Sequence, residues 1–165
     1  MKFGLKAMSR AGIPAALEKA ERYRLLSDPE AAESICHDIL AIDPEDQRAL
    51  RILLLTLTDQ LVGEHSRAGA GEARAYASRL KSDYERAYYT GVVYEREARA
   101  LLARSMIARR TAYGGFRTAM EWYEKAEALR PPGNDDAILR WNSCVRTLER
   151  EKLEPETNDR DLPLE

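Results

Sequence analysis

Two stretches decide how this chain is read: Ala32-Glu33-Ser34-Ile35-Cys36-His37-Asp38-Ile39-Leu40-Ala41-Ile42-Asp43-Pro44 and Ala119-Met120-Glu121-Trp122-Tyr123-Glu124-Lys125-Ala126-Glu127-Ala128-Leu129-Arg130-Pro131. Laid on each other, both begin with Ala and carry a larger side chain four residues later, at Cys36 and Tyr123. An apolar residue follows three positions on, at Ile39 and Ala126, and a proline ends each stretch. Steps of four and three keep side chains on one face of a helix. Proline cannot continue a helix, so each stretch ends there.

The rest of the chain has the same character. Ala, Leu, Glu, Arg and Lys, which lose least on entering a helix, dominate from Ala15 to Glu151. No segment shows the period-two alternation of strands. The breakers Gly12-Ile13-Pro14, Ser27-Asp28-Pro29, Asp43-Pro44, Gly63 to Gly71, Gly114-Gly115 and Pro131-Pro132-Gly133 cut it into about seven helices. These are expected near 14–26, 30–42, 46–62, 71–81, 83–111, 116–129 and 135–152. The junction near Lys81 to Tyr84 carries neither Gly nor Pro. The fold class expected is all-α, an array of helical hairpins. Residues 1–12 form a leader, 13–152 the helical domain, and 153–165 an acidic, Pro-broken tail expected to be disordered.

These stretches resemble the second helix of a tetratricopeptide repeat. Ser27-Asp28-Pro29-Glu30-Ala31-Ala32 and Gly114-Gly115-Phe116-Arg117-Thr118-Ala119 are similar to that family's turn, with Phe116 in its aromatic slot and Pro29 departing from it. Leu50, Leu53, Leu54 and Leu57 stand at the packing positions of its first helix, and Thr90-Gly91 with Tyr94 at those of a later repeat. Ala73 is the equivalent small residue between Ala32 and Ala119, at spacings of 41 and 46 residues. The family period is about 34, so the resemblance is to about three divergent repeats over residues 13 to 131. The last helix, with Ile138, Trp141, Val145 and Leu148 on one stripe and Arg140, Arg146 and Glu149 opposite, reads as a cap. What the resemblance implies is a right-handed superhelix whose first helices line an inner face.

The family's inward positions fall on Leu17, Glu21 and Arg24, then on Arg48, Arg51, Leu55 and Thr58, then on Tyr88, Val92, Glu95 and Arg99. At about 100° per residue, Tyr88, Val92, Arg96, Arg99, Met106 and Arg110 share one face of the expected fifth helix. Ala87, Gly91, Tyr94, Ala98, Leu101, Leu102, Ser105 and Ala108 share a neighbouring face whose small residues suit close packing. Residues 96–117 carry a net charge of +5, while the tail from Glu149 carries −4. The groove expected to bind a partner is therefore Arg24, Arg48, Arg51, Thr58, Tyr88, Val92, Arg96, Arg99 and Arg110. Arg forks match carboxylates and aromatic rings supply contact area. The ligand expected is an acidic or extended peptide, with a carboxylate along Arg48, Arg51, Tyr88 and Arg99. Leu17 and Glu21 stand where the carboxylate clamp of chaperone-tail-binding repeats wants Lys and Asn, which disfavours that particular role.

The remaining features point away from chemistry. The overall charge of −2 over 165 residues gives no general pull toward nucleic acid or membrane. No apolar run approaches a membrane span or a signal peptide, so a cytoplasmic location is expected. Cys36 and Cys144 lie in helical apolar patterns without a CxxC or ligand cluster and read as buried free thiols, with a disulfide left open. His37 neighbours Cys36, but adjacent helical residues do not face each other, and His65 sits in a Gly-rich loop. No catalytic residue, metal ligand or cofactor motif is found. A protein-binding adaptor, scaffold or small chaperone is the function expected. A homodimer module without a separate ligand competes with it, as does a nucleic-acid binder using the Arg-rich fifth helix.

Overall fold

The computed structural model describes residues 3–61 and 66–155. Among them are seven α-helices and no strand: α1 (Ile13–Leu25), α2 (Pro29–Ile42), α3 (Gln47–Asp59), α4 (Ser66–Ser78), α5 (Asp83–Leu102), α6 (Met106–Leu129) and α7 (Asp136–Glu151). Their starts are written in short polar side chains. Asp28, Asp46, Ser82 and Ser105 each accept a hydrogen bond from the backbone N–H three residues on, at 2.8–3.2 Å. Each cap satisfies one of the donors that a helix start leaves unpaired. Pro29 occupies the first position of α2, where no N–H is needed. At the other end of α7, Lys152 adopts a left-handed φ of 51°. That reversal lets Leu153 N–H reach the Leu148 carbonyl at 3.0 Å and returns Leu153 to the core.

Each helix packs against the next in sequence, and α3 also touches α1 and α5. The hairpins α1–α2, α3–α4 and α5–α6 therefore follow one another, with α7 against α6. Ala32, Ala73 and Ala119 are fully buried in the second helices of the three hairpins, and Leu50, Leu53, Leu54 and Leu57 are buried in α3. Two apolar clusters result. One gathers Leu17, Ile39, Leu50, Leu53, Leu54 and Val93, the other Val92, Phe116, Met120, Tyr123 and Cys144. Val92 and Val93 turn into different clusters, so α5 is the wall they share.

Three boundaries differ from the expectation. The fifth helix ends at Leu102, not near 111, and Ser105 caps a new helix that runs unbroken through Gly114-Gly115. Ser105, Met106, Ala108 and Arg110 thus leave the face assigned to them on the fifth helix. Glycine is retained inside α6 for contact, since a Cβ at Gly115 would sit 2.9 Å from the Ala98 Cβ of α5. Gly91 is tighter still, with the Tyr123 ring at 2.7 Å and the Ala119 carbonyl at 3.2 Å from where its Cβ would be. The fourth helix begins at Ser66 rather than 71, taking in Gly69 and Gly71. Near the start of the chain Met8 packs on the core, residues Arg10–Gly12 form a 3-10 turn, and Arg10 donates to the Ile42 carbonyl at 3.1 Å. The disorder expected of the tail lies outside the described residues from 156 onward, and His65 lies outside them too. No helix among the described residues is long and apolar enough to cross a membrane.

Two substitutions separate the roles of the α6 and α5 glycines. Gly91→Ala must displace a packed ring and is expected to cost about 1–3 kcal/mol. Gly114→Ala meets nothing within 4 Å and should stabilise by about 0.5–1 kcal/mol. Urea denaturation followed by far-UV circular dichroism measures both.

Cys36 and Cys144 are free and fully buried, one in each cluster. Burial, reinforced by nearby carboxylates, pushes both thiols up to about 12. The unfolded chain therefore ionises these thiols first as pH rises. Stability that is complete below about pH 9 is expected to fall toward pH 12, by about 1.4 kcal/mol per pH unit for each thiol. Urea midpoints of the wild type and of a Cys36→Ala/Cys144→Ala variant across that range check the sign, since the variant should lack the thiol part of the slope.

Candidate functional site

Alternate helices α1, α3, α5 and α7 are joined along one side by ion pairs, and most of the arginines expected in the groove lie in that row. Between α1 and α3, Arg48 grips Glu21, with Nη2 donating to Oε2 at 2.6 Å and Nε to Oε1 at 3.3 Å. In the same gap Arg24 Nε lies 2.6 Å from Asp59 Oδ2, out of line for a hydrogen bond, while its Nη2 donates to Oδ1 at 3.2 Å. Between α3 and α5, Arg51 Nη1 donates to both oxygens of Glu85 at 3.1 and 3.3 Å. Arg96 reaches back from α5 to Asp59 and to the Thr58 hydroxyl, both at 2.7 Å. Asp59 is therefore shared by two guanidiniums from different helices.

A second shared carboxylate stands between α5, α6 and α7. Glu95 is fully buried. Its Oε2 accepts the Tyr123 hydroxyl at 2.5 Å, and its Oε1 accepts Arg99 Nε at 2.9 Å. Arg140 Nη1 stands 3.6 Å from the same oxygen. Arg99 spends its other nitrogens on Thr147 and Ser143 of α7, at 3.1 and 3.0 Å. A carboxylate removed from water is tolerable only with such partners. Burial and the Glu95 charge hold the Tyr123 hydroxyl far above the ordinary tyrosine range. Burial alone would lower Arg140, but Glu95 and a hydrogen bond to Tyr88 raise it. Arg140 was expected on the outer face of α7. It turns inward because Ala137, Cys144 and Thr147, all buried, place the inner stripe one step round from the one expected.

Beside this row an open cavity of about 320 Å³ runs between α1, α3 and α5. Arg24, Arg48, Arg51 and Glu21 bring charge to its wall, and Leu25, Leu55 and Tyr89 bring apolar surface. Leu25 is 80% exposed. Thr58 and Val92 are buried, so of the groove residues expected they support rather than face a ligand. Tyr88 stacks on Tyr84 at 5.8 Å and meets Tyr89 edge-on at 5.1 Å. Arg110 is exposed on α6, apart from the row. Asp59, Glu85, Tyr89, Tyr123 and Arg140 are site residues that sequence reasoning missed. Asp59 follows Leu55 by one helical turn and was legible as its neighbour. The inward turn of Arg140 needed the packing of α7 to be known.

Electrostatically, the row sets six guanidiniums, Arg24, Arg48, Arg51, Arg96, Arg99 and Arg140, against the four carboxylates of Glu21, Asp59, Glu85 and Glu95. The arginines are thus internally paired, and among the described residues they outnumber the carboxylates they pair with. The Arg48 hydrogen bond, with the charges of Arg48, Arg51 and Arg24, outweighs burial and holds Glu21 below the usual carboxylate range. Stability from that pair is present at neutral pH and is lost as pH falls through the lowered value. Family models, curated proteins and solved structures were compared with the chain, and none matches.

Glu95→Leu leaves two guanidiniums facing a buried void of charge and is expected to cost about 3–5 kcal/mol. The double variant Glu95→Leu/Arg140→Leu should lose less than the two single losses added together, with a coupling of about 1 kcal/mol or more. Chemical denaturation of the four proteins of that cycle measures it; additive losses would remove the coupling.

Proposed function

We propose that this chain is a tetratricopeptide-type adaptor or small chaperone that binds a protein segment along α1, α3 and α5. One observation carries the reading. An open cavity with apolar and cationic walls lies across three consecutive first helices, beside a row with more arginine than carboxylate. Leu25, Leu55 and Tyr89 offer contact area to an apolar side chain. The surplus guanidiniums favour an acidic segment over a basic one. The burial of Ala32, Ala73 and Ala119, each in the second helix of its hairpin, supports the repeat reading. The binding chemistry needs no group transfer, so the protein is read as a non-enzyme working in the cytoplasm.

Nucleic acid is a poorer fit. Among the described residues the row sets six arginines against four carboxylates, a surplus of only two. A backbone of phosphates needs many free cations and gives steeply salt-dependent binding. A homodimer has a specific observation in its favour, because Met106 and Ile107 at the start of α6 are 77% and 78% exposed. That patch lies away from the cavity walls, so dimerisation and segment binding can be measured separately.

The test uses fluorescein-labelled decapeptides of Ala and Gly, one carrying two leucines and three glutamates, one with lysines in place of the glutamates. Anisotropy titration of the full chain is expected to show the acidic peptide binding at least tenfold more tightly. Arg48→Gln/Arg51→Gln should remove that preference while the circular dichroism spectrum is unchanged. Equal affinity for both peptides, or a preference untouched in the variant, contradicts the proposal. Light scattering over a concentration series reports any dimer independently.

A further inference from the structure

Going one step deeper into the same site, we infer that the end of the row where Asp59 and Glu95 are each shared by two guanidiniums is a subsite for a dianionic phosphoryl group on the bound segment. This presupposes the segment-binding reading above. Among the described residues, Arg24 from α1, Arg96 and Arg99 from α5, and Arg140 from α7 make ion pairs with those two carboxylates only. Four guanidiniums thus stand against two paired carboxylates along one stretch of surface, with Glu21 adding a longer-range charge at Arg24. All four side chains keep between 22% and 35% of their surface in solvent, so a ligand can reach them.

The crowding is visible in Arg96 itself. Burial depresses its guanidinium, Arg24 and Arg140 both depress it further, and Asp59 opposes them. Three guanidiniums from three helices thus lie close enough to repel one another, with Asp59 held between Arg24 and Arg96. One further carboxylate would cancel half of the excess. A phosphoserine or phosphothreonine carries about −1.5 to −2 at neutral pH and three acceptor oxygens, which matches it. Arginine forks present paired donors suited to those oxygens.

The neighbourhood points to a peptide rather than a free ion. Arg24 belongs both to this cluster and to the wall of the 320 Å³ cavity, whose apolar side chains are Leu25, Ile52, Leu55 and Tyr89. A phosphorylated residue at the cluster would place a side chain a few residues away over that cavity. The segment recognised is therefore a phosphoryl group close in sequence to an apolar residue. Asp59 acts as a built-in competitor that occupies Arg24 and Arg96 while no ligand is bound.

The experiment uses the full chain and three labelled Ala/Gly decapeptides with one leucine, differing only in serine, glutamate or phosphoserine two residues before it. Anisotropy at fixed salt is expected to rank phosphoserine about tenfold above glutamate, and glutamate above serine. Arg96→Gln should bring phosphoserine down to the glutamate level. Asp59→Asn, which removes the internal competitor, should tighten the phosphoserine peptide about threefold or more, a gain that misfolding cannot produce. Inorganic phosphate should compete only at concentrations far above those of the phosphopeptide. Equal binding of phosphoserine and glutamate peptides, or no tightening in Asp59→Asn, overturns the phosphoryl subsite while leaving an acidic-segment adaptor standing. Absence of binding by all three peptides overturns both. Inorganic phosphate competing as well as the phosphopeptide, or a single-stranded oligonucleotide binding more tightly than it, overturns the assignment to a phosphorylated segment.

Discussion

A single carboxylate organises the second half of this molecule. Glu95 has no access to water, so its charge must be met from inside the fold. Tyr123 comes to it from α6, Arg99 from its own helix, and Arg140 from α7. Each partner is held in turn: Tyr123 lies against Gly91, Arg99 is bonded to Thr147 and Ser143, and Arg140 is bonded to Tyr88. If α7 were rotated by one residue, Arg140 would leave Glu95 and Cys144 would leave the core. The requirement to satisfy one buried charge therefore sets how three helices meet, more narrowly than apolar packing alone would.

The same logic, in weaker form, runs along the row. Arg48 with Glu21, Arg51 with Glu85, and Arg24 and Arg96 with Asp59 span the gaps between α1, α3 and α5. These pairs are partly exposed, and each contributes little to stability by itself. Their consequence is positional. They hold long, flexible side chains in fixed places beside the cavity, which lowers the entropy lost when a ligand is bound. Internal pairing still leaves room for a ligand, because the arginines outnumber the carboxylates they pair with, although Asp59 competes with that ligand for Arg24 and Arg96.

Much of the fold was legible in the sequence, and the misses have physical reasons. The alternation of buried Ala32, Ala73 and Ala119 with the Leu50–Leu57 face follows directly from helical spacing. The break at Ala103 to Ser105 was not seen because it carries neither Gly nor Pro and rests on one serine cap. Gly114-Gly115 reads as a break in the sequence because glycine usually marks one. Here Gly115 serves close approach to Ala98, a purpose that only the neighbouring helix reveals. At the site, Arg24, Arg48, Arg51 and Arg99 stand at the inward positions that the tetratricopeptide resemblance implies, Arg96 shares a helix face with Arg99, and all five lie in the row of ion pairs. Their partners Asp59 and Glu85 were not foreseen, since which acid meets which base depends on how the hairpins are stacked.

The central claim is that the arginine row between α1 and α7 is the surface a partner meets. Two-dimensional NMR of the arginine Nε–Hε groups in the full chain, with and without an acidic leucine-containing peptide, tests it most directly. The account predicts saturable shifts at Arg24, Arg48, Arg51, Arg96, Arg99 and Arg140, with Arg110 and Arg117 unmoved. Shifts confined to Arg110 and Arg117, or spread evenly over every arginine, would contradict it.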